Sequence, residues 1–282
     1  MPQTKHSSKM RNKKGQTYRN VLRAAIIAGL GIIMTAAIPG RSPAKGDPNA
    51  SPLTVDQVVE KMTQMNLERS EALRSYSSVR VYHLELNGII HQSADMVARM
   101  TYHWPDQKEF TILSESGSVI MRNRVLKAIL AAEKEAMQKE NRERTALNTN
   151  NYEFSLVGVE GSPQPKDYML EVKPKVKNKF LFKGKVWVDA QDFAVTRIEG
   201  EPAKNPSWWT RKNDITYTYQ KLGDFWLPAY TQSLTEVRIF GHTVLTIEYK
   251  DYNLIETRAL QTAQKDEQNP HQQASSGASL SR

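Results

Sequence analysis

Asp189 and Asp192 stand three residues apart in KGKVWVDAQDFAVTRIEG, Lys183 to Gly200. Two carboxylates that close can divide acid and base work, the charge of one holding the proton on the other. Their neighbours argue for a turn instead. Val186-Trp187-Val188 before the pair and Phe193-Ala194-Val195 after it are strand formers, which leaves DAQD as the connection. Asp at the first position of a turn accepts backbone N–H groups from residues two and three ahead. A hairpin tip also offers little of the shelter that shifts a carboxylate pKa. The expectation is a turn with no catalytic role.

Other chemistry is sparse. None of the six histidines makes an HExxH pair or sits beside a carboxylate at metal-ligand spacing, so neither a metal nor a cofactor is expected. Ser114-Glu115-Ser116-Gly117 is not a G-x-S-x-G elbow and reads as a turn before a helix. Cysteine is absent, which removes disulfides, thiol nucleophiles, thiolate metal sites and a lipid-bearing cysteine. A non-enzymatic protein is the expectation; a hydrolase would need a site assembled in space from residues such as Asp189, Asp192 or His103.

A net charge of +9 would suit a nucleic-acid binder if it were spread along the chain. It is not. Nine basic residues and no acidic one precede Gly46, and from there 30 basic residues face 30 acidic ones. No nucleic-acid partner is expected. Residues 1–45 have the order of a secretory signal peptide: a basic stretch ending at Arg23, an apolar run from Ala24 to Ile38, then Pro39-Gly40 and small residues. That run of 15 residues would span about 22 Å as a helix, short of the roughly 30 Å hydrocarbon core. Export to the periplasm is expected, with cleavage after Ala37 or Ala44; an uncleaved leader would instead anchor the protein in the inner membrane.

The elements that must position any site follow from periodicity. LTVDQVVEKMTQMNLERSEAL reads as a helix with capping-box residues Thr54 and Gln57 and an apolar stripe of Val55, Val58, Met62 and Met65. A second helix is expected over Val119 to Leu147, its first half docking and its charged second half solvated or projecting. From Ser78 the period is two, and about ten strands separated by Gly, Pro, Asn and Asp predict an antiparallel meander. One domain is expected over residues 46–257, followed by a disordered polar tail, 258–282.

Gly184, Val186, Val188-Asp189 and Arg197-Ile198-Glu199 form a pattern of glycine, alternating strand, V-D, turn and R-x-E; Tyr217, Tyr219 and Trp226-Leu227-Pro228 follow it. In these motifs and in the order of elements from Thr54 to Asn253 the chain resembles the superfamily of periplasmic lipoprotein carriers of LolA, LolB and RseB type, closest to its lipoprotein-sorting-like branch. The resemblance implies a mainly β fold: a strongly curved antiparallel sheet forming an incomplete β-barrel, with helices over the open side and a concave apolar face that accepts acyl chains. No counterpart of the carriers' lid-fixing arginine stands out.

On that resemblance the expected function is capture of lipid or lipoprotein acyl chains for trafficking to the outer membrane. The alternative is an RseB-like envelope stress sensor or scaffold, in which the charged helix Glu133 to Arg144 meets a protein of the inner or outer membrane. Alternation places Val186, Val188, Ile198, Leu245, Ile247 and Tyr249 on apolar faces, either lining a cavity or sealed in a core. Trp208 and Trp209 are candidates for the rim, meeting membrane or ligand, or for a plug at one end.

Overall fold

The computed structural model describes residues 53–89, 91–162, 164–205, 210–238 and 241–256. The leader, the polar tail, Trp208 and Trp209 lie outside them.

Helix α1, Val55–Ala72, starts where the capping box predicts: Gln57 N–H donates to Thr54 Oγ1 at 3.3 Å and Thr54 N–H donates to Gln57 Oε1 at 2.9 Å. Strands β1 (Leu73–Asn87), β2 (Gln92–His103) and β3 (Gln107–Gly117) follow. Ser114–Gly117, expected as a turn, is the end of β3, paired with β2. Helix α2 (Val119–Met121) passes through a π-helical turn, Arg122–Leu126, into α3 (Lys127–Met137), and α4 spans Lys139–Thr145. The wider π turn keeps Met121, Val125, Leu126 and Ile129 all buried.

The remaining strands are β4 (Tyr152–Glu160), β5 (Asp167–Pro174), β6 (Phe182–Asp189), β7 (Val195–Pro202), β8 (Thr210–Leu222), β9 (Phe225–Val237) and β10 (Gly241–Glu256). All ten lie in one antiparallel sheet ordered β3-β2-β1-β10-β9-β8-β7-β6-β5-β4. Its two edges are β3 and β4, so the barrel is open, as the resemblance implied.

Register turns the sequence alternation into one continuous inner row. Leu156, Leu170, Val186, Ile198, Tyr217, Thr231, Ile247, Tyr82, Met96 and Glu115 are successive partners across all ten strands. Helices α1 to α3 press Val58, Val59, Met62, Met121, Val125, Leu126 and Ile129 into the same buried cluster. The core therefore lies between the concave face and the helices, which is the layer arrangement a one-sided apolar sheet requires.

Gly184 and Gly200 face each other across β6 and β7. A Cβ on Gly184, whose φ is +153°, would meet Glu199 O at 2.1 Å; one on Gly200 would meet Lys183 O at 2.3 Å. The glycine of the sequence pattern thus permits a close backbone approach between β6 and β7.

Candidate functional site

The six apolar residues expected at the site are all buried on the inner side of the sheet and share one cluster with the helices. Val186 pairs with Ile198; Leu245, Ile247 and Tyr249 alternate inward on β10 opposite Leu84, Tyr82 and Arg80. Methionines lie on both sides of the helix–sheet contact: Met62 on α1, Met121 on α2 and Met137 on α3, against Met96 and Met100 on β2, each fully buried.

Polar chemistry enters this face through residues that sequence reading missed. Arg80 on β1 donates through Nη1 to Glu133 Oε2 of α3 at 2.6 Å, and Lys108 Nζ on β3 reaches the same oxygen at 3.3 Å. Arg80 and Glu133 are each 2 % exposed and Lys108 8 %. Two cations therefore converge on a single carboxylate oxygen away from water. Glu133 Oε1, Arg80 Nε and Ser78 Oγ, all buried, have no hydrogen-bond partner among the described residues. Phe110 and Tyr249 rings lie 5.3 and 5.0 Å from the Arg80 guanidinium.

Burial alone would lower the Arg80 pKa, but the Glu133 carboxylate overrides it and holds the guanidinium above its ordinary value. Lys108 is pulled down by burial, against a weaker upward pull from Glu133. The surrounding phenols are neutral, burial pushing both Tyr76 and Tyr249 up to about 12.

Glu133 lies within the helix half expected to be solvated, and the structure corrects that expectation: Glu133, Ala136 and Met137 are all buried. A signal was present. Glu133 falls four and seven residues after Ile129 and Leu126, on the apolar stripe, and Arg80 shares the strand face of Tyr82, Leu84 and Leu86.

The Asp189–Asp192 pair is a turn, as expected. Asp189 Oδ1 accepts the N–H groups of Gln191 at 2.9 Å and Asp192 at 2.6 Å. Asp192 does more: its Oδ2 accepts from Trp226 Nε1 at 2.8 Å and from Lys221 Nζ at 2.5 Å. On the outer face His83 lies between Asp95 (Nδ1···Oδ1 2.5 Å) and Glu85 (Nε2···Oε1 3.0 Å). His103 Nδ1 is 3.2 Å from Ser75 Oγ. Among the described residues no group of three or more His, Cys, Asp or Glu side chains is arranged to hold a metal ion.

No family model and no curated protein matches the sequence. Solved structures do. A LolA superfamily protein from Nitrosomonas europaea is similar at 13 % identity, over 72 % of this chain and 94 % of that one, with a TM-score of 0.34. A putative outer membrane lipoprotein-sorting protein domain from Vibrio parahaemolyticus is similar at 12 % identity, over 66 % and 90 %, with a TM-score of 0.30. Pseudomonas aeruginosa MucB, in its complex with MucA, is similar at 10 % identity, over 74 % and 94 %, with a TM-score of 0.21.

Proposed function

We propose that this is an exported, non-enzymatic binding protein of the periplasm that captures lipid or lipoprotein acyl chains between the concave sheet face and helices α1 to α3, for transfer toward the outer membrane. The observation that carries this reading is the methionine-lined contact between helices and sheet. Unbranched thioether side chains re-pack around variable apolar shapes, and an acyl chain entering there gains about 0.8 kcal/mol for each CH₂ removed from water. Val186, Val188, Ile198, Leu245, Ile247 and Tyr249 form the wall that such a chain meets when the helices withdraw. Mass spectrometry of protein purified from its native envelope, together with titration of a fluorescent fatty acid, tests it. Copurified lipid and saturable binding are expected; neither lipid nor binding would refute it.

A second reading, a sensor or scaffold that reports the state of this face to a membrane protein, is favoured by α4. None of its seven residues is buried, and Lys139, Glu140, Glu143 and Arg144 present mixed charge next to the helix that carries Glu133. Crosslinking from α4 in the envelope distinguishes the two: capture of a membrane regulator without lipid transfer supports the sensor.

A further inference from the structure

Arg80 and Lys108 belong to the sheet, whereas the carboxylate they share belongs to a helix. Withdrawal of α3 would carry Glu133 away and leave both cations fixed at the foot of the apolar face, beside Ala98 and Met100 of β2. We infer that Arg80 and Lys108 are the head-group site for an acyl chain ending in a carboxylate, and that Glu133 occupies that site in the closed state as an internal substitute for the ligand.

Three observations carry the inference, which rests on the acyl-chain reading above. The first is charge: two buried cations face one buried carboxylate, so the site holds an excess positive charge among apolar and aromatic walls. Buried charge is costly unless paired, so once Glu133 leaves, the two cations call for another anion in its place.

The second is geometry. Both cations use the same oxygen of Glu133, while Oε1 and Arg80 Nε have no hydrogen-bond partner among the described residues. A carboxylate free of the helix backbone can turn its second oxygen to the guanidinium fork, the bidentate arrangement that Arg favours. Ser78 Oγ, buried and without a hydrogen-bond partner among the described residues, adds a donor on the same strand face as Arg80.

The third is that the site is split between two elements, the sheet holding both cations and helix α3 the carboxylate. The ligand then competes with Glu133 for the same two cations, and it shifts the helix equilibrium only by its advantage over Glu133. A carboxylate is assigned rather than a phosphate because the group it replaces is itself a carboxylate.

The test compares palmitate, hexadecanol and palmitoyl lysophosphatidylglycerol as competitors of a fluorescent fatty alcohol, on the full chain and on Glu133→Gln. Palmitate should bind more tightly than hexadecanol, and Glu133→Gln should tighten both by about tenfold, because either chain enters only once α3 withdraws and the variant removes a charge-assisted bond that holds α3 to the sheet. Because Glu133→Gln leaves two cations without a counter-charge, Lys108→Met, which keeps the Arg80–Glu133 pair, is the second variant. It should narrow the preference for palmitate over hexadecanol. Equal binding of acid and alcohol in the parent and both variants overturns the head-group site but not acyl binding. Binding of neither overturns the acyl-chain reading and this inference with it. Preference for the lysophospholipid over palmitate overturns the carboxylate assignment.

Discussion

Arg69, in the last turn of α1, donates through Nη2 to the main-chain carbonyl of Asp192, 123 residues further along the chain. The Asp-led turn between β6 and β7 is therefore what ties down the end of the first helix. Arg69 is buried and its Nε has no hydrogen-bond partner among the described residues; burial lowers its pKa against the pull of Asp192 and Asp189. Arg69→Met removes a charge-assisted bond and is expected to cost about 2–3 kcal/mol in urea denaturation. Hydrogen exchange should quicken over residues 55–72 more than over the strands, and equal quickening everywhere would contradict this anchoring role.

Asp192 should contribute a distinct acid limb to stability. Burial would raise its pKa, but the hydrogen bonds from Lys221 and Trp226 hold it below the ordinary value. A group depressed in the folded state stabilises above its unfolded pKa, about 3.9, and loses that contribution as pH falls through the folded value. The stability difference between the parent protein and Asp192→Asn should therefore be constant above about pH 5 and shrink below pH 4. Thermal unfolding from pH 3 to 7 measures it, and a difference that grows on acidification would refute the assignment.

His83 should act in the opposite sense. Its hydrogen bonds to Asp95 and then Glu85 raise its pKa above the ordinary value of 6.5. A raised pKa stabilises fully below the unfolded value, about 6.5, and the contribution is lost as pH climbs through the folded value. His83→Gln should thus matter more at pH 6 than at pH 9. The imidazole titration followed by NMR should move back toward 6.5 in Asp95→Asn; an unchanged midpoint would show that the contact does not hold the proton.

Gly184→Ala tests the close approach of β6 and β7. A Cβ there would lie 2.1 Å from the Glu199 carbonyl, in a backbone conformation that L side chains rarely adopt. A loss of about 1–3 kcal/mol is expected from strain of this kind. Gly223, with φ +61° and open space around its Cβ position, is the control, since Gly223→Ala pays only for backbone conformation.

Much of the fold was legible because each strand alternates and each break carries turn chemistry: Asp189 capped its turn and Thr54 its helix, both local events. The sheet order was not legible, since pairing of β1 with β10 depends on contacts between residues such as Tyr82 and Ile247, far apart in the chain. The charged triad was missed for the same reason. Arg80 and Glu133 each look solvated alone, and only their meeting, 53 residues apart, makes burial tolerable. The apolar residues Val186, Val188 and Ile198 could be found because burial of an apolar side chain needs no named partner.

The stability of Arg80, Lys108 and Glu133 as a unit can be separated by substitution. A buried ion pair costs desolvation on both sides, so its presence does not by itself argue for stability, but removal of one partner leaves a charge stranded in the core. Arg80→Met strands Glu133 with only Lys108, and Glu133→Leu strands both cations; each should cost about 3–5 kcal/mol. Arg80→Met/Lys108→Leu/Glu133→Leu removes every charge and fills the space with apolar side chains, and should recover most of that loss. Urea denaturation of the four proteins measures the coupling. Additive losses, with the triple variant the least stable, would mean that the three side chains do not share one dry site. Recovery in the triple variant would show that the charges are kept at a cost in stability, which is what a site retained for binding requires.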